Sequence, residues 1–424
     1  MTGQFTIQGN EIGDLAERFG TPLYVYDGDV LRGVYQNLRD GLDPRVDVFY
    51  SAKANPNVSV CAVLRELGAG LEVSSLVELV TARRAGARPE NIIFLGPGKS
   101  ADELRACLDH GIHAIVCESL DELGAVNEMA GPAGADVLLR VNPAFAVTGV
   151  RLAMGGKPRQ FGIDHEILMG SREILARLRR IRVKGIHAYL GTRILDADAV
   201  VRNTRGVLKA AEELSAALGF PLETVDVGGG LGVPYFDNEK DIDTGAVVAG
   251  MNAAVADFAG RHPGCRIITE LGRYLVGWCG TYVVRARYVK QSRGELFVVA
   301  DGGTNHHMAA VGIGSFVKRN FPIRSLTRYD EPGTHTYTVT GPLCTPNDVV
   351  ASKVALPEVR AGDLLGVERS GAYGPTASPV QFLSHGYPAE VLVLDGVPHL
   401  VRRRDTVEDL LRNQHLIPQP VEKG

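Results

Sequence analysis

Apolar and polar positions follow two different patterns along this chain, and the change falls near residue 275. Before it, short β-branched segments alternate with segments whose apolar residues recur at helical spacing and end in glycine, such as 59–70, 100–111 and 206–219. Eight strands are predicted, over residues 45–53, 71–75, 92–97, 114–119, 136–143, 183–190, 224–230 and 266–273. Strand and helix repeated eight times predict a (β/α)8 barrel of the TIM type.

Beyond residue 275 the apolar residues alternate with a period near two, between turns rich in Gly, Pro and Asp. This pattern predicts an antiparallel β domain, either a barrel or a sandwich. We place the barrel at 28–274 and the β domain at 1–27 together with 275–424, with LYVYD (23–27) as a strand near the N-terminus.

Composition excludes several classes of protein. A chain of 424 residues suits two domains, and its net charge of −4 without a Lys/Arg block argues against a nucleic-acid partner. Six scattered cysteines without a C-x-x-C pair argue against a zinc site or a disulfide framework. With no signal-like start and no apolar run of about 18 residues, we expect a soluble, cytoplasmic protein without a membrane partner.

Polar residues stand where predicted barrel strands end: Lys53, Glu72, Arg140, His187, the glycines 228–230 and Glu270. In a TIM barrel those ends face the active site, so separate strands converge on one mouth. Burial at a strand end is expected to depress the pKa of Lys53, as an imine-forming amine requires. The alternative for Lys53 is an ordinary lysine that reaches to solvent.

Each of the other residues also has two interpretations. The glycines suit a phosphate-binding nest or a plain tight turn, and Val233 excludes the dinucleotide fingerprint. Glu270 could face a pyridine nitrogen or form a structural ion pair with Arg273. His187 could stack on a planar cofactor or be a core histidine, and Cys344 is by default a buried, inert thiol.

Ten motifs in order resemble the fold-type III pyridoxal-phosphate (PLP) enzymes of the diaminopimelate/ornithine decarboxylase family. They are FGTPLYVYD (19–27), YSAKAN (50–55), LRVNP (139–143), QFGID (160–164), VDVGGGLG (225–232), ELGRYLVG (270–277), ADGG (300–303), GPLC (341–344), SGAYG (370–374) and PAEVLV (388–393). The resemblance implies an alanine-racemase-like barrel with a C-terminal β domain, PLP as cofactor and amino-acid decarboxylation.

The resemblance also implies roles for individual residues. Lys53 would be the Schiff-base lysine, His187 would stack on the ring and Glu270 would pair with its nitrogen. The phosphate would be held by Gly229, Gly230, Gly272, Arg273 and Tyr373, with Thr192 in a serine's place. Glu72 and Arg140 would support the Schiff base. In a head-to-tail homodimer, Cys344 and Asp348 would come from the partner chain, with Cys344 protonating the product.

Several departures bear on the substrate. Cys344-Thr345-Pro346-Asn347-Asp348 replaces the C-E-S-x-D of diaminopimelate decarboxylases, and Thr304-Asn305-His306-His307 replaces a carboxylate-binding segment. Residues expected to contact substrate are therefore Arg273, His306, His307, Thr345, Asp348 and Tyr373. The motifs are most similar to a subgroup of secondary-metabolite and siderophore pathways, which implies a non-standard or carrier-protein-bound amino acid. A meso-diaminopimelate decarboxylase and, because the scaffold is shared, a PLP-dependent racemase or epimerase are the alternatives.

Overall fold

Two compact units make up the chain in a computed structural model that describes residues 3–145, 152–153, 158–311 and 319–417. One unit comprises residues 26–280 with 369–373, and the other comprises the remaining N-terminal, central and C-terminal segments. Among the helices described, none is long and apolar enough to cross a membrane.

Eight parallel strands form a closed barrel in the first unit. They are Val46–Ser51, Gly70–Val73, Ile92–Phe94, Ala114–Cys117, Ala135–Asn142, Ile181–His187, Thr224–Gly229 and Arg266–Leu271. Neighbours in sequence are neighbours in the barrel, and the eighth strand pairs with the first. The short strand Ile163–Asp164 pairs with the last two residues of the fifth strand, Val141 and Asn142. The predicted barrel is confirmed, with each predicted strand within a few residues of an observed one.

Several of the helices that follow the strands begin at a capping serine. Ser75, Ser100 and Ser119 each accept a hydrogen bond from the backbone N–H three residues on, and thereby satisfy a donor that the first turn leaves open. The helices of this unit are Gly28–Gly41, Val58–Glu66, Leu76–Arg84, Ala101–His110, Leu120–Met129, His165–Met169, Arg172–Arg177, Ala197–Leu218, Thr244–Arg261 and Arg273–Val276.

The interior of the barrel has an apolar core and, at the carboxyl ends of its strands, a polar layer. Its core cluster is formed by Phe49, Ile93, Leu95, Ala114, Val116, Leu138 and Ile268. Paired residues on adjacent strands point to the same face. Arg140 pairs in register with His187, and His187 pairs with Asp226, so these three side chains share one layer. Glu270 lies two residues beyond Ile268 on the next strand, so a buried polar layer tops the core at the carboxyl ends of the strands.

The second unit is built on a sheet. Its strands, in spatial order, are Val349–Leu356, His335–Thr340, Glu295–Ala300, Gly280–Ser292, Leu23–Asp27, Ala389–Leu394 and Val397–Arg402; Leu364–Val367 joins Gly280–Ser292 to Ile323–Ser325. Helix Ile12–Phe19 places its apolar face in the core of this unit. The sheet is mixed rather than purely antiparallel as predicted, because Glu295–Ala300 and His335–Thr340 run parallel.

Candidate active site

A cavity of about 450 Å³ opens at the carboxyl ends of the barrel strands, within the size range of small-molecule sites. Its lining combines five polar or charged groups with apolar and aromatic walls: Lys53, Ser74, Leu95, Gly96, Pro97, Arg140, Phe161, Tyr189, Thr192, Arg273 and Tyr373. Five of the predicted site residues, Lys53, Arg140, Thr192, Arg273 and Tyr373, thus meet at one mouth.

Lys53 lies in a short 3-10 turn, Ala52–Ala54, that directly follows the first barrel strand. Its Nζ is 2.8 Å from Oε2 of Glu72, which is fully buried in the second strand, whereas the Lys53 side chain is 37% exposed. The second oxygen of Glu72 accepts a hydrogen bond from Ser74 at 2.9 Å. The amine of Lys53 is therefore held at the floor of the cavity by one carboxylate.

The pKa of Lys53 differs from the expectation. Burial lowers it, but the negative charges of Glu72 and then Glu270 outweigh burial, so the pKa is raised above its ordinary value. The prediction that the pKa of Lys53 is lowered was wrong, because two carboxylates raise it. Both carboxylates belong to other strands, so the sequence around Lys53 does not reveal them.

Three buried side chains form a cluster in the polar layer: His187, Asp226 and Glu270. Nε2 of His187 is 3.4 Å from Oε1 of Glu270. One ring nitrogen of His187 and one carboxylate oxygen from each of Asp226 and Glu270 lie within 4.8 Å of one another. Both ring nitrogens of His187, both oxygens of Glu270 and Oδ2 of Asp226 lack a hydrogen bond to any described group. Buried polar groups without partners are costly in a finished core, so this cluster suits a polar ligand.

Arg140 forms a buried ion pair with a carboxylate that the sequence did not single out. Its Nη1 donates to Oε1 of Glu118 at 2.5 Å, and its guanidinium lies 4.9 Å from the centroid of the Phe161 ring. Glu118 also accepts hydrogen bonds from the backbone N–H groups of Gly96 and Gly162. Arg140 thus braces the cavity wall through Glu118, whereas Glu72 contacts Lys53 directly.

The glycine run turns sharply at the end of the seventh strand. Gly228 and Gly230 have φ of 67° and 96°, a conformation that favours glycine. A Cβ on Gly229 would lie 1.6 Å from the carbonyl oxygen of Glu270. The backbone of this turn therefore packs against the adjacent strand more closely than any side chain would allow. Both a phosphate-binding nest and a plain tight turn are compatible with this geometry.

Arg273 and Tyr373 lie together beside the cavity. The Arg273 guanidinium is 4.5 Å from the Tyr373 ring centroid, and its Nη1 donates to the hydroxyl of Tyr235 at 3.0 Å. Tyr373 has φ of 55°, an uncommon conformation for an aromatic residue, and its N–H donates to the carbonyl of Ala54 at 2.7 Å. That bond ties Tyr373 to the turn that contains Lys53. Gly272 is the N-cap of the short helix Arg273–Val276.

The Cys344 loop, residues 341–348, lies in the sheet unit. Cys344 is exposed there, so the expectation of a buried thiol was wrong. Asp348 is buried, and its two oxygens accept hydrogen bonds from the backbone N–H groups of Thr304 and Leu343, both at 2.7 Å. Asp348 thus shapes the loop that exposes Cys344, and its contact with substrate stays a prediction. Thr345 is half-buried, and its hydroxyl accepts a hydrogen bond from the N–H of Asn347.

His306 and His307 are buried in the sheet unit. His306 Nε2 is 2.9 Å from the carbonyl of Gly386, and His307 packs against the rings of Tyr24, Tyr282 and Phe321. Burial lowers the pKa of His306 to about 4 and that of His307 to about 3. Buried and uncharged, both histidines pack the core of this unit, and neither lines the barrel cavity.

Sequence reasoning missed several residues of this region, among them Ser74, Glu118, Phe161, Tyr189 and Asp226. Tyr189 lies with its ring centroid 5.6 Å from Nζ of Lys53. Asp226 could have been found, because it is a lone carboxylate inside an apolar strand, two residues before the glycines. Glu118 also ends a strand, but its partner Arg140 is not apparent from their spacing.

Fold and site define a class of barrel enzyme whose ligands bind at the carboxyl ends of the strands. The profile of one family, described as "pyridoxal-dependent decarboxylase, pyridoxal binding domain", matches residues 30–277. The chain belongs to this family and is a PLP-dependent amino-acid decarboxylase.

Two curated relatives and one solved structure show how far the similarity extends. The L-glutamyl-(BtrI acyl-carrier protein) decarboxylase of Niallia circulans is 38% identical over 410 residues, which is 95% of this chain and 96% of the relative. The diaminopimelate decarboxylase of Methanothermobacter thermautotrophicus is 33% identical, covering 98% and 96%. The diaminopimelate decarboxylase of Helicobacter pylori, crystallised with L-lysine, superposes with a TM-score of 0.85 at 28% identity, covering 95% of this chain and 98% of that one.

The residues present fit pyridoxal phosphate. The Lys53 amine lines the cavity and can attach an aldehyde. His187 and Glu270 lie outside this lining, in the polar layer of the barrel, and their unpartnered nitrogens and oxygens offer polar atoms for a heteroaromatic ring. The buried guanidinium Nε of Arg273, a residue that lines the cavity, also lacks a hydrogen bond to any described group and can serve a phosphate.

Proposed function

We propose that this enzyme removes the α-carboxylate of an amino acid that is carried on an acyl carrier protein, in a secondary-metabolite or siderophore pathway. The observation that supports this substrate is the charge of the cavity wall. Among the described lining residues, the charged ones are Lys53, Arg140 and Arg273, and none is Asp or Glu. A distal ammonium, as in diaminopimelate, ornithine or lysine, would have no carboxylate there, at a cost of about 2–5 kcal/mol.

The Cys344 loop supports the same conclusion. Diaminopimelate decarboxylases carry a glutamate after the corresponding cysteine, and Thr345 occupies that position here. Thr345 is half-buried in its loop and cannot neutralise an ammonium. An amide or thioester link to a carrier needs no charged partner at the distal end, and the relative from Niallia circulans is named for such a substrate.

Within the site we assign Lys53 as the residue that attaches the cofactor, with Glu72 holding its amine. His187 would stack on the ring and Glu270 would face the ring nitrogen. Gly229, Gly230, Gly272, Arg273, Tyr373 and Thr192 would hold the phosphate and its surroundings. When bound, pyridoxal phosphate supplies a ring that withdraws electrons from the substrate's Cα.

The protein's own groups explain why the ring would be held ready for that role. Burial raises the pKa of Glu270, but His187 and Lys53 outweigh it and the net shift is downward, so Glu270 is ionised. An ionised carboxylate favours a protonated nitrogen opposite it. An arginine at this position, as in the related racemases, would disfavour that proton, so Glu270 favours decarboxylation over racemisation.

We assign the protonation of the product to Cys344 of a second copy of the chain in a head-to-tail dimer. The thiol is exposed on a loop whose shape Asp348 fixes. An exposed thiol on an ordered loop is available to a neighbouring subunit.

A meso-diaminopimelate decarboxylase is the second candidate, favoured by the likeness to enzymes of that name over nearly the whole chain. The test measures CO₂ release by the PLP-loaded enzyme from a glutamyl group on an acyl carrier protein, free L-glutamate, meso-diaminopimelate, L-ornithine and L-lysine. We expect kcat/KM to be highest for the carrier-bound group. A higher value for meso-diaminopimelate would overturn the proposal.

The variant Thr345→Glu supplies a matched specificity control. It restores the carboxylate after Cys344, so we expect meso-diaminopimelate turnover to rise about tenfold or more. Thr345→Gln, equal in size but uncharged, should give no such gain. A gain with both variants would show that charge at this position does not select the substrate.

A further inference from the structure

Asp226 has no assigned part in the chemistry, although it is fully buried in the polar layer of the barrel. It pairs in register with His187 on one side and with Ile268 on the other. Between Asp226 and Gly229 the pairing shifts by one residue, so that Gly229 lies opposite Glu270. This bulge leaves the Asp226 carboxyl beside that of Glu270, with oxygen atoms of the two within 4.8 Å.

The two oxygens of Asp226 have different surroundings. Oδ1 accepts a hydrogen bond from the backbone N–H of Gly228 at 2.9 Å. Oδ2 and both oxygens of Glu270 accept no hydrogen bond from the described groups, although Nε2 of His187 lies 3.4 Å from Oε1 of Glu270. Two buried carboxyls with unbonded oxygens are therefore neighbours, and a proton on one of them would supply a hydrogen-bond donor to the other.

Two carboxylates this close in a buried site do not both ionise readily. The charged and titratable groups around the pair are His187, Lys53 and Glu72. Burial raises the pKa of Glu270, but His187 and then Lys53 outweigh it, so that pKa is lowered. Burial, and then the charge of Glu270, raise the pKa of Asp226 well above its usual range.

We propose that Asp226 is a protonated positioning residue: its Oδ2 hydroxyl donates a hydrogen bond to Glu270, while its Oδ1 fixes Gly228. One side chain would thereby link the carboxylate assigned to the cofactor's ring to the turn assigned to its phosphate. The inference builds on the cofactor assignments under the proposed function and is independent of the substrate.

Two replacements of Asp226 separate this role from a merely structural one. Asp226→Asn keeps an acceptor for Gly228 and an N–H donor for Glu270, but it cannot ionise. Asp226→Ala removes both. The control Thr269→Val removes a second side-chain hydrogen bond to this turn, the 2.9 Å bond from Thr269 to the Gly228 carbonyl, and leaves both carboxyls in place.

The first measurement is the infrared carbonyl stretch of a protonated carboxylic acid in the apoprotein, without cofactor or substrate. Wild type and Thr269→Val should show a buried acid band at neutral pH that Asp226→Asn lacks. Retention of the full band in Asp226→Asn, together with its loss in Glu270→Gln, would place the proton on Glu270 and overturn the proposal.

The second measurement is the dissociation constant of pyridoxal phosphate. Asp226→Asn should bind within about threefold of wild type, whereas Asp226→Ala should bind about 10- to 100-fold more weakly, as expected when buried polar groups lose their partners. An Asp226→Asn protein as weak as Asp226→Ala would mean that a charged aspartate is required. Equal weakening by Asp226→Ala and Thr269→Val would reduce Asp226 to a support for the turn. Either result would contradict the proposal, and because no measurement uses substrate, an error in the substrate assignment would not affect them.

Discussion

The charge on Lys53 can be changed by one substitution that leaves the lysine in place, Glu72→Gln. Nζ of Lys53 and Oε2 of Glu72 are 2.8 Å apart. At an effective dielectric constant of about 20, two opposite charges at this distance attract each other by about 6 kcal/mol. The Lys53 side chain is 37% exposed, so solvent screens part of this attraction. A nearby opposite charge shifts a pKa by roughly 1–3 units, and we take about 3 kcal/mol from the middle of that range. That corresponds to about 2 pKa units.

The direction of the effect follows from the raised pKa of Lys53. Removing Glu72 lowers that pKa, so at any pH below both values the neutral amine becomes about 100-fold more abundant. Only the neutral amine attacks the aldehyde of the cofactor. At one fixed, mildly alkaline pH, apoprotein carrying Glu72→Gln should therefore attach pyridoxal phosphate about 100-fold faster than wild type.

Stopped-flow absorbance of the lysine-bound cofactor measures this rate. Ser74→Ala is the matched control, since it removes the 2.9 Å hydrogen bond to Glu72 but keeps the negative charge. Its attachment rate should stay within about threefold of wild type. Equal rates for wild type and Glu72→Gln would refute the reasoning, because Glu72 would then not govern the charge of Lys53.

Three further substitutions test other parts of the site. Glu118→Gln leaves Arg140 without its buried charge partner and should lower the free energy of unfolding in urea by about 3–5 kcal/mol. The double variant Glu118→Gln/Arg140→Met should recover most of that loss. Additive losses from the two substitutions would contradict a paired role. Glu270→Gln should lower kcat by about 10²- to 10³-fold on the preferred substrate while the cofactor stays attached, so an unchanged kcat would remove Glu270 from the chemistry. Cys344→Ala should slow formation of the protonated product by about 10²-fold in single-turnover experiments, and a wild-type rate would exclude the thiol as the acid.

The spacing of apolar residues and the polar residues at strand ends were enough to predict the barrel and much of the cavity at its mouth. Lys53, Thr192 and Arg273 line one cavity because parallel strands in a closed barrel end at the same face, and this follows from the alternation of strands and helices. Contacts across strands could not be predicted in this way. The partner of Arg140 is Glu118, and the pKa of Lys53 is raised by carboxylates from two other strands.

The roles of polar residues in the sheet unit were harder to predict, because they do not lie together at the ends of parallel strands. His306 and His307 occupy an unusual motif, yet they are buried among aromatic rings. Asp348 matches a family position, but backbone N–H groups use both of its oxygens. A polar residue that organises a loop and one that binds a ligand look the same in a single sequence.

Attachment of the cofactor to Lys53 is the assignment on which the account of the site depends, and mapping the modified lysine tests it most directly. Borohydride reduction of the PLP-loaded enzyme, followed by proteolysis and mass spectrometry, locates the lysine that carries the pyridoxyl group. We predict a single modified peptide that contains Lys53. A pyridoxyl group on another lysine, with Lys53 unmodified, would contradict the account.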